Sequence, residues 1–354
     1  MSTLQSPFWN LQVNPEQATF SAQPKTSPGI GIQDAHMLST YRTPTQNKIG
    51  IHKGWPQVQQ TQITQVDSPL GQLNGIQFTC FDKEDHLFYT FTFALPEDQP
   101  LFLWKMDLEN RGEKPITVDR LELMHAGGRA GKGDVILPSG PYPSKMSFYT
   151  NGWQSWSRTG TYLPDQAMKH SRFGPFQNPM VINPGTPPIR ISGYFTSDFY
   201  GILCDRTHRT GLLCGFLSQL NHFGSVEAFL LDHASLRMWA NGDNVRLDPG
   251  AKMSTDWGVL YSFNLDETDD LAPYLQAVAK ANNIKPTTQS PAGWCSWYQF
   301  FTGVTAKDIQ KNLQAITTLR SELPLGLLQI DDGFEAQVGD WFEFKSTFPD
   351  GVAH

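Results

Sequence analysis

Near Asp266 the pattern of this chain changes, and that change limits what it can fold into more than any other feature. Before it, short β-compatible runs alternate with turns bearing Gly and Pro; after it come a helical stretch, a linker and a strand–helix–strand pattern. No single sheet or bundle accommodates both, and 354 residues exceed one ordinary hydrophobic core. The expectation is a mainly β chain: a large antiparallel β-sandwich with a C-terminal helical link over 1–283, a linker over 284–290, and a parallel βαβ region over 291–354.

The β runs are specific. His86–Leu95 (HLFYTFTFAL) and Leu101–Leu108 (LFLWKMDL) are rich in aromatic and β-favouring residues, with Pro96 and Pro100 at the break between them. A turn at Glu109–Pro115 leads into Ile116–Met124. Phe199–Cys204 and Gly211–Phe216 flank the polar turn Asp205–Thr210, and Ser235–Ala240 and Asn244–Leu247 flank Asn241–Gly242–Asp243, which reads as a hairpin turn. Glu267–Asn283 reads as a helix, with Pro273 tolerable only in its first turn. Beyond the linker, Gly293–Phe300 (GWCSWYQF) is predicted as a strand. Thr305–Leu323 is predicted as a helix capped by Thr305 with Asp308, showing Ile309, Leu313 and Ile316 on one face. Leu325–Ile330 (LGLLQI), continuously apolar, is predicted as a buried parallel strand.

Composition narrows the function classes. A net charge of −7 without a basic cluster argues against nucleic acid and anionic membrane as partners. No run of about 18 apolar residues suits a membrane span, and the start MSTLQSPFWN lacks the basic and apolar regions of a signal peptide. The four cysteines match no zinc or redox spacing, although Cys204 and Cys214 are placed to meet across a hairpin; free thiols in a cytoplasmic protein are the expectation. Gly127–Asp134 (GGRAGKGD) imitates a phosphate loop but has Ala126 where that loop needs Gly and Gly133 where it needs Ser or Thr. No His pair has metal spacing, and no metal or cofactor is expected.

The chemistry-bearing feature is the acid pair that closes the last apolar run. Ligands of parallel βαβ sheets bind at the carboxyl ends of the strands. Asp331 and Asp332 occupy that end of the second strand, and Trp297 the corresponding place on the first. Unpaired buried charge is costly, so the acids should face water, a cation or a polar ligand. No nearby His completes a cation site, a plain polar turn stays open, and two acceptors beside a flat indole suit a sugar. Each charge-assisted hydrogen bond from a hydroxyl is worth roughly 1.5–3 kcal/mol.

PAGWCSWYQF, LPLGLLQIDDGFE and VGDWFEFKSTFPDGV, in that order over 291–354, resemble the start of the catalytic barrel of glycoside hydrolase family 36, the melibiase-type α-galactosidases of clan D. More loosely, Asn151–Ser157 (NGWQSWS) resembles a motif in part of that family. The resemblance implies a β-sandwich followed by a (β/α)8 TIM barrel, truncated here. It implies a retaining hydrolase of carbohydrate metabolism that releases terminal α-linked galactose from oligosaccharides of the melibiose and raffinose type. By it, Asp331 and Asp332 accept from the galactose 4-OH and 6-OH, Trp297 contacts the ring, Trp341 lines the pocket and Asp340 assists, while Trp294 and Cys295 pack the barrel. Phe334 departs from the family's usual Trp after Asp-Asp-Gly, which leaves fine specificity open.

The resemblance puts both catalytic aspartates on later barrel strands, and a whole barrel takes about 250 residues. The chain to His354 is therefore expected to contain neither and to be inactive alone. Alternatives are a non-catalytic carbohydrate-binding or oligomerisation module, or a clan relative acting on another α-glycoside or transferring galactosyl groups; self-association is left open.

Overall fold

The computed structural model describes residues 1–26, 28–43, 57–128, 133–154, 157, 159–168, 190–285 and 290–352. The phosphate-loop imitation, the linker and the second half of NGWQSWS lie largely outside these residues. The chain divides into two compact units, Met1–Ile284 and Lys285–His354.

The first unit consists of two large antiparallel sheets. One runs, in spatial order, Ser2–Gln5, Trp9–Asn14, Thr19–Pro24, Gly31–Arg42, Ile116–Gly127, Ala234–Leu247, Gly224–Leu230 and Tyr194–Asp198, with Asp134–Ile136 paired to Gly31–Arg42. The other runs Gly160–Tyr162, Met146–Thr150, Tyr200–Asp205, Thr210–Phe216, Gly258–Asn264, Leu101–Asn110, Leu87–Leu95, Gly71–Asp82 and Gln57–Ser68, with Lys252–Ser254 paired to Leu101–Asn110. Alternate side chains of both sheets meet in one core, as period-2 strands require. Phe20, Phe93, Phe102 and Trp104 form its aromatic centre, with Phe20 stacked on Phe102 at 5.6 Å. The indole N–H groups of Trp104 and Trp9 donate to the carbonyls of Leu123 (2.9 Å) and Pro100 (3.0 Å), so these rings are buried without an orphaned donor. A helix, Ala272–Ala281, closes the unit with Pro273 in its first turn, where a missing N–H costs nothing. Its Tyr274 hydroxyl donates to the Phe216 carbonyl at 2.9 Å.

Two expectations for this unit fail. Asn241–Asp243 makes no hairpin: Ala234–Leu247 is one strand whose two halves both pair with Ile116–Gly127, and the register slips between Asn241 and Val245. Asp243 and Asn244 take the positive φ (50° and 56°) that the turn residues signalled, but spend it on a bulge. Cys204 and Cys214 do not face each other either; Cys204 lies opposite Gly211 and Cys214 opposite Gly201, and all four cysteines are free thiols.

The second unit is a parallel strand–helix–strand arrangement. Gly293–Cys295 pairs in parallel with Leu327–Gln329, joined through the Ala306–Thr318 helix. That helix opens with the expected capping box: the Thr305 hydroxyl accepts from the Asp308 N–H, and Asp308 accepts from the Thr305 N–H. It ends earlier than expected, at Thr318. A small core gathers Val304, Ile309, Phe334 and Phe348, with Trp294, Phe300 and Leu328 packed against it.

Three expectations here are corrected. The predicted strand Gly293–Phe300 stops at Cys295, and Trp297–Phe300 is a helical turn. Leu325–Ile330 is parallel but not buried: with one partner strand and one helix in its unit, Leu327 stays 46% exposed. On the helix only Ile309 is buried; Leu313 is half exposed. A closed barrel is not formed by the described residues.

Candidate functional site

Asp331 sits two residues beyond Gln329, the end of its strand. The Ser296 N–H donates to the Gln329 carbonyl (3.1 Å), extending the parallel ladder by one step. In return the buried Ser296 hydroxyl accepts from the Asp331 N–H (2.9 Å). This reciprocal pair fixes where both strands leave the sheet and sets Asp331 beside the segment that carries Trp297.

The two carboxylates differ. Asp331 Oδ2 accepts from the Gln329 amide (3.2 Å) and from the Cys295 thiol (3.3 Å), and its Oδ1 accepts from the Asp332 N–H (2.9 Å). Three donors from three residues lock its orientation. Asp332 has no such clamp: among the described residues its side chain makes no hydrogen bond, and it stands half-buried. Partial burial, then the neighbouring Glu335 and Asp331 charges, raise its pKa above the ordinary aspartate value, because each of these disfavours the ionised form.

Gly333 lets this corner close. Its φ is +116°, and a Cβ there would lie 2.8–3.0 Å from backbone atoms of Thr302. The Gly333 N–H is taken by the carboxylate of buried Glu335 (2.8 Å), so the turn after the pair is itself pinned. Phe334 points inward and contributes to the small core.

Trp297 reaches the site differently from expectation. It opens the helical turn rather than ending a strand, and its ring packs edge-on against Phe301 with centroids 5.3 Å apart. Phe301 adopts φ 49°, ψ −139°, a conformation costly for a residue with a side chain. Trp341 is 58% exposed and tilts against Phe334 at 6.3 Å. Asp340 belongs to the loop before it, held by backbone bonds from Asp340 N–H to Gln337 O (3.0 Å) and from Glu343 N–H to Asp340 O (3.0 Å). The structure thus gathers Asp331, Asp332 and the Trp297 segment at one strand end and ties Trp341 in through Phe334. No hydrogen bond joins Asp340 to the pair among the described residues.

Sequence reasoning placed Cys295 in the packing and did not consider Ser296, Gln329 or Glu335. Their signal was positional: each lies within three residues of the pair, or at the end of its partner strand. Trp294 packs on the small core and against Phe300 at 6.3 Å, as expected.

NGWQSWS also has a defined anchor. The Asn151 amide donates to the Asp198 carbonyl (2.9 Å), the Asp198 N–H donates to the Asn151 carbonyl (2.9 Å), and the Trp153 N–H donates to Asp198 Oδ2 (2.9 Å). Asp198 is buried, its Oδ1 has no partner among the described residues, and burial pushes its pKa up to about 7 against the opposing Trp153 bond. Asp205, in the polar turn Asp205–Thr210, collects the Ser139, Thr207 and His208 N–H groups, which is a structural role.

The described residues thus form a sandwich unit and a parallel strand–helix–strand unit that carries two adjacent carboxylates at the carboxyl end of a strand. No protein-family model matches the chain. Among solved structures, the chain is similar to the family 36 α-galactosidase AgaA of Geobacillus stearothermophilus, with a TM-score of 0.59 at 10% identity over 99% of this chain and 53% of that one. The α-galactosidase of Lactobacillus brevis matches with a TM-score of 0.57 at 12% identity, over 99% of this chain and 52% of that one. A form of AgaA in complex with stachyose gives 0.57 at 11% identity, over 99% and 53%. The likeness drawn from the three motifs holds at the level of fold, and the chain spans about half the length of these structures.

Proposed function

We propose that this chain carries the galactose-gripping rim of a retaining glycoside hydrolase of the α-galactosidase type. The observation that supports this reading best is the asymmetry of the acid pair: Asp331 is clamped by three donors, while Asp332 keeps an unengaged carboxylate beside it. A clamped carboxylate offers a fixed lone-pair direction, and a free one can accept from a ligand; neighbouring hydroxyls of one hexose need both. In this reading the pair takes the 4-OH and 6-OH of a terminal α-linked galactose. Trp297 covers the C–H face of the ring, and Trp341 and Asp340 line the outer wall. Fold likeness to α-galactosidases, one of them holding stachyose, supports substrates of the melibiose and raffinose type.

Neither acid is given a catalytic role. A retaining mechanism needs two carboxyl groups roughly 5–5.5 Å apart on opposite sides of the scissile bond. Neighbours on one strand end cannot face each other across it. The nucleophile and the acid/base are assigned to barrel strands outside these 354 residues, so the chain alone binds without turnover. Four unpaired thiols suit a reducing cytoplasm.

Saturation-transfer NMR and calorimetry with galactose and its 4-epimer glucose test the reading. Galactose is expected to bind at least about tenfold more tightly, the equivalent of one charge-assisted hydrogen bond. Asp332→Asn should abolish that preference, and 4-nitrophenyl α-galactoside should stay intact with the wild-type chain. Equal affinity for both hexoses, or a preference untouched by Asp332→Asn, overturns it.

A further inference from the structure

The two large sheets have four edges among the described residues, and three are kept short. Ser2–Gln5, Tyr194–Asp198 and Gly160–Tyr162 have four, five and three residues. Short edges are one way natural sheets avoid pairing with other chains. The fourth edge, Gln57–Ser68, has twelve residues, and it pairs on one side only, with Gly71–Asp82. Its other side presents a row of backbone N–H and C=O groups from alternate residues.

Among the described residues, no charge, proline or covering element guards the Gln57–Val66 part of this edge. Gln57–Val66 (QVQQTQITQV) contains no charged residue and no proline. The bulge between Val58 and Gln60 affects only its first residues, leaving Gln60 onward in register. Every residue from Gln57 to Ile63 is exposed, and Ile63, an apolar side chain in a favoured strand position, is 66% exposed.

From this edge we propose that a second copy of the chain docks on Gln57–Ser68, the two edge strands pairing antiparallel about a two-fold axis. The chemistry of the strand selects a copy of itself over a charged partner. The chain has a net charge of −7, yet Gln57–Val66 is uncharged and the one acid of the strand, Asp67, falls opposite Gln57 when the pair is centred on Gln62, so self-pairing sets no like charges opposite each other. Centring the pair on Gln62 sets Gln62 opposite Gln62, Thr61 opposite Ile63 and Gln60 opposite Thr64. Glutamine amides carry donor and acceptor and are self-complementary. The strand already uses them so, with the Gln60 amide donating to Gln62 (3.1 Å) and the Gln62 amide to Gln77 (3.2 Å). Such an interface is isologous and closes at two copies.

Sedimentation velocity across a concentration series, with the 354-residue chain, measures the assembly. The wild-type chain is expected to be a dimer at micromolar concentration. Ile63→Lys, which sets a charge in the seam on both copies, should weaken dimerisation at least tenfold without moving the thermal midpoint. Thr61→Pro, which removes a backbone donor, should do the same, and Ile63→Lys stands alone if the proline disturbs the hairpin. Gln62→Cys should cross-link two copies under mild oxidation, while Gln33→Cys, on the other sheet, should not. A monomeric wild type, a dimer indifferent to Ile63→Lys, or equal cross-linking from both cysteine variants overturns the proposal.

Discussion

Asp198 shows how a single residue couples a loop to pH. It is 2% exposed, and among the described residues no cation faces it and one carboxylate oxygen has no partner. With the folded pKa raised to about 7, the fold holds this proton where the unfolded chain has released it. The contribution of Asp198 to stability is therefore full below the ordinary carboxylate range, declines as pH rises to about 7, and is flat above. The full swing is at most about 4 kcal/mol, from three pKa units at 1.36 kcal/mol each. Asp198→Asn keeps an acceptor for the Trp153 N–H and removes the titration. The difference in thermal midpoint between wild type and variant, measured by calorimetry from acidic to alkaline pH, should shift in favour of the variant as pH rises through neutrality. A difference constant with pH would contradict the assignment. Nothing in the sequence around Asp198 announced this; burial of a carboxylate depends on strands distant in sequence, whereas the pair at Asp331 and Asp332 was legible because an apolar run ended on it.

At the scale of elements, local chemistry was readable where one short stretch decides the outcome. Thr305 and Asp308 cap the Ala306–Thr318 helix within their own four residues, and Pro273 sits where a helix start tolerates it. Thr305→Ala should cost about 1 kcal/mol of helix stability, read as a roughly fivefold loss of amide-exchange protection in the first turns. Protection equal to wild type would mean that packing of Ile309, not the cap, sets the helix start. Where the outcome depends on a partner strand, sequence reading failed. Positive-φ residues at Asp243 and Asn244 suit a hairpin or a bulge equally, and the ladder to Ile116–Gly127 decides for the bulge. Trp297 reads as β by composition, but Ser296 ends the ladder and the chain turns into a helix at Trp297, so the last four residues of the predicted strand, Trp297–Phe300, are helical instead.

At the scale of the whole molecule, the two units are held together to different degrees. The first buries an extended aromatic core between two sheets; the second has four buried apolar side chains around one helix and two three-residue strands. Leu313, Leu327 and Phe342 remain exposed on the second unit, at 50%, 46% and 92%. Opening free energy follows buried apolar contact, so the second unit should open first. Limited proteolysis with chymotrypsin is expected to cut within 290–352 well before it cuts within the sheets, leaving a resistant fragment that ends near Ile284. Simultaneous loss of both units would show that they unfold together. The switch of pattern near Asp266 made the two-part layout visible, but the sparse covering of Leu327 was not, because an apolar run records an affinity for burial and not whether anything supplies it.

The inward-turned Phe334 limits which changes the turn after the acid pair can take. It stands two residues after Asp332, and its ring packs with Val304, Ile309 and Phe348 in the small core and against Trp341 at 6.3 Å. Swapping it for a bulkier indole would strain that small interior. Changes at Cys295 or Gln329 spare that interior and act on the orientation of Asp331, whose carboxylate accepts from both side chains.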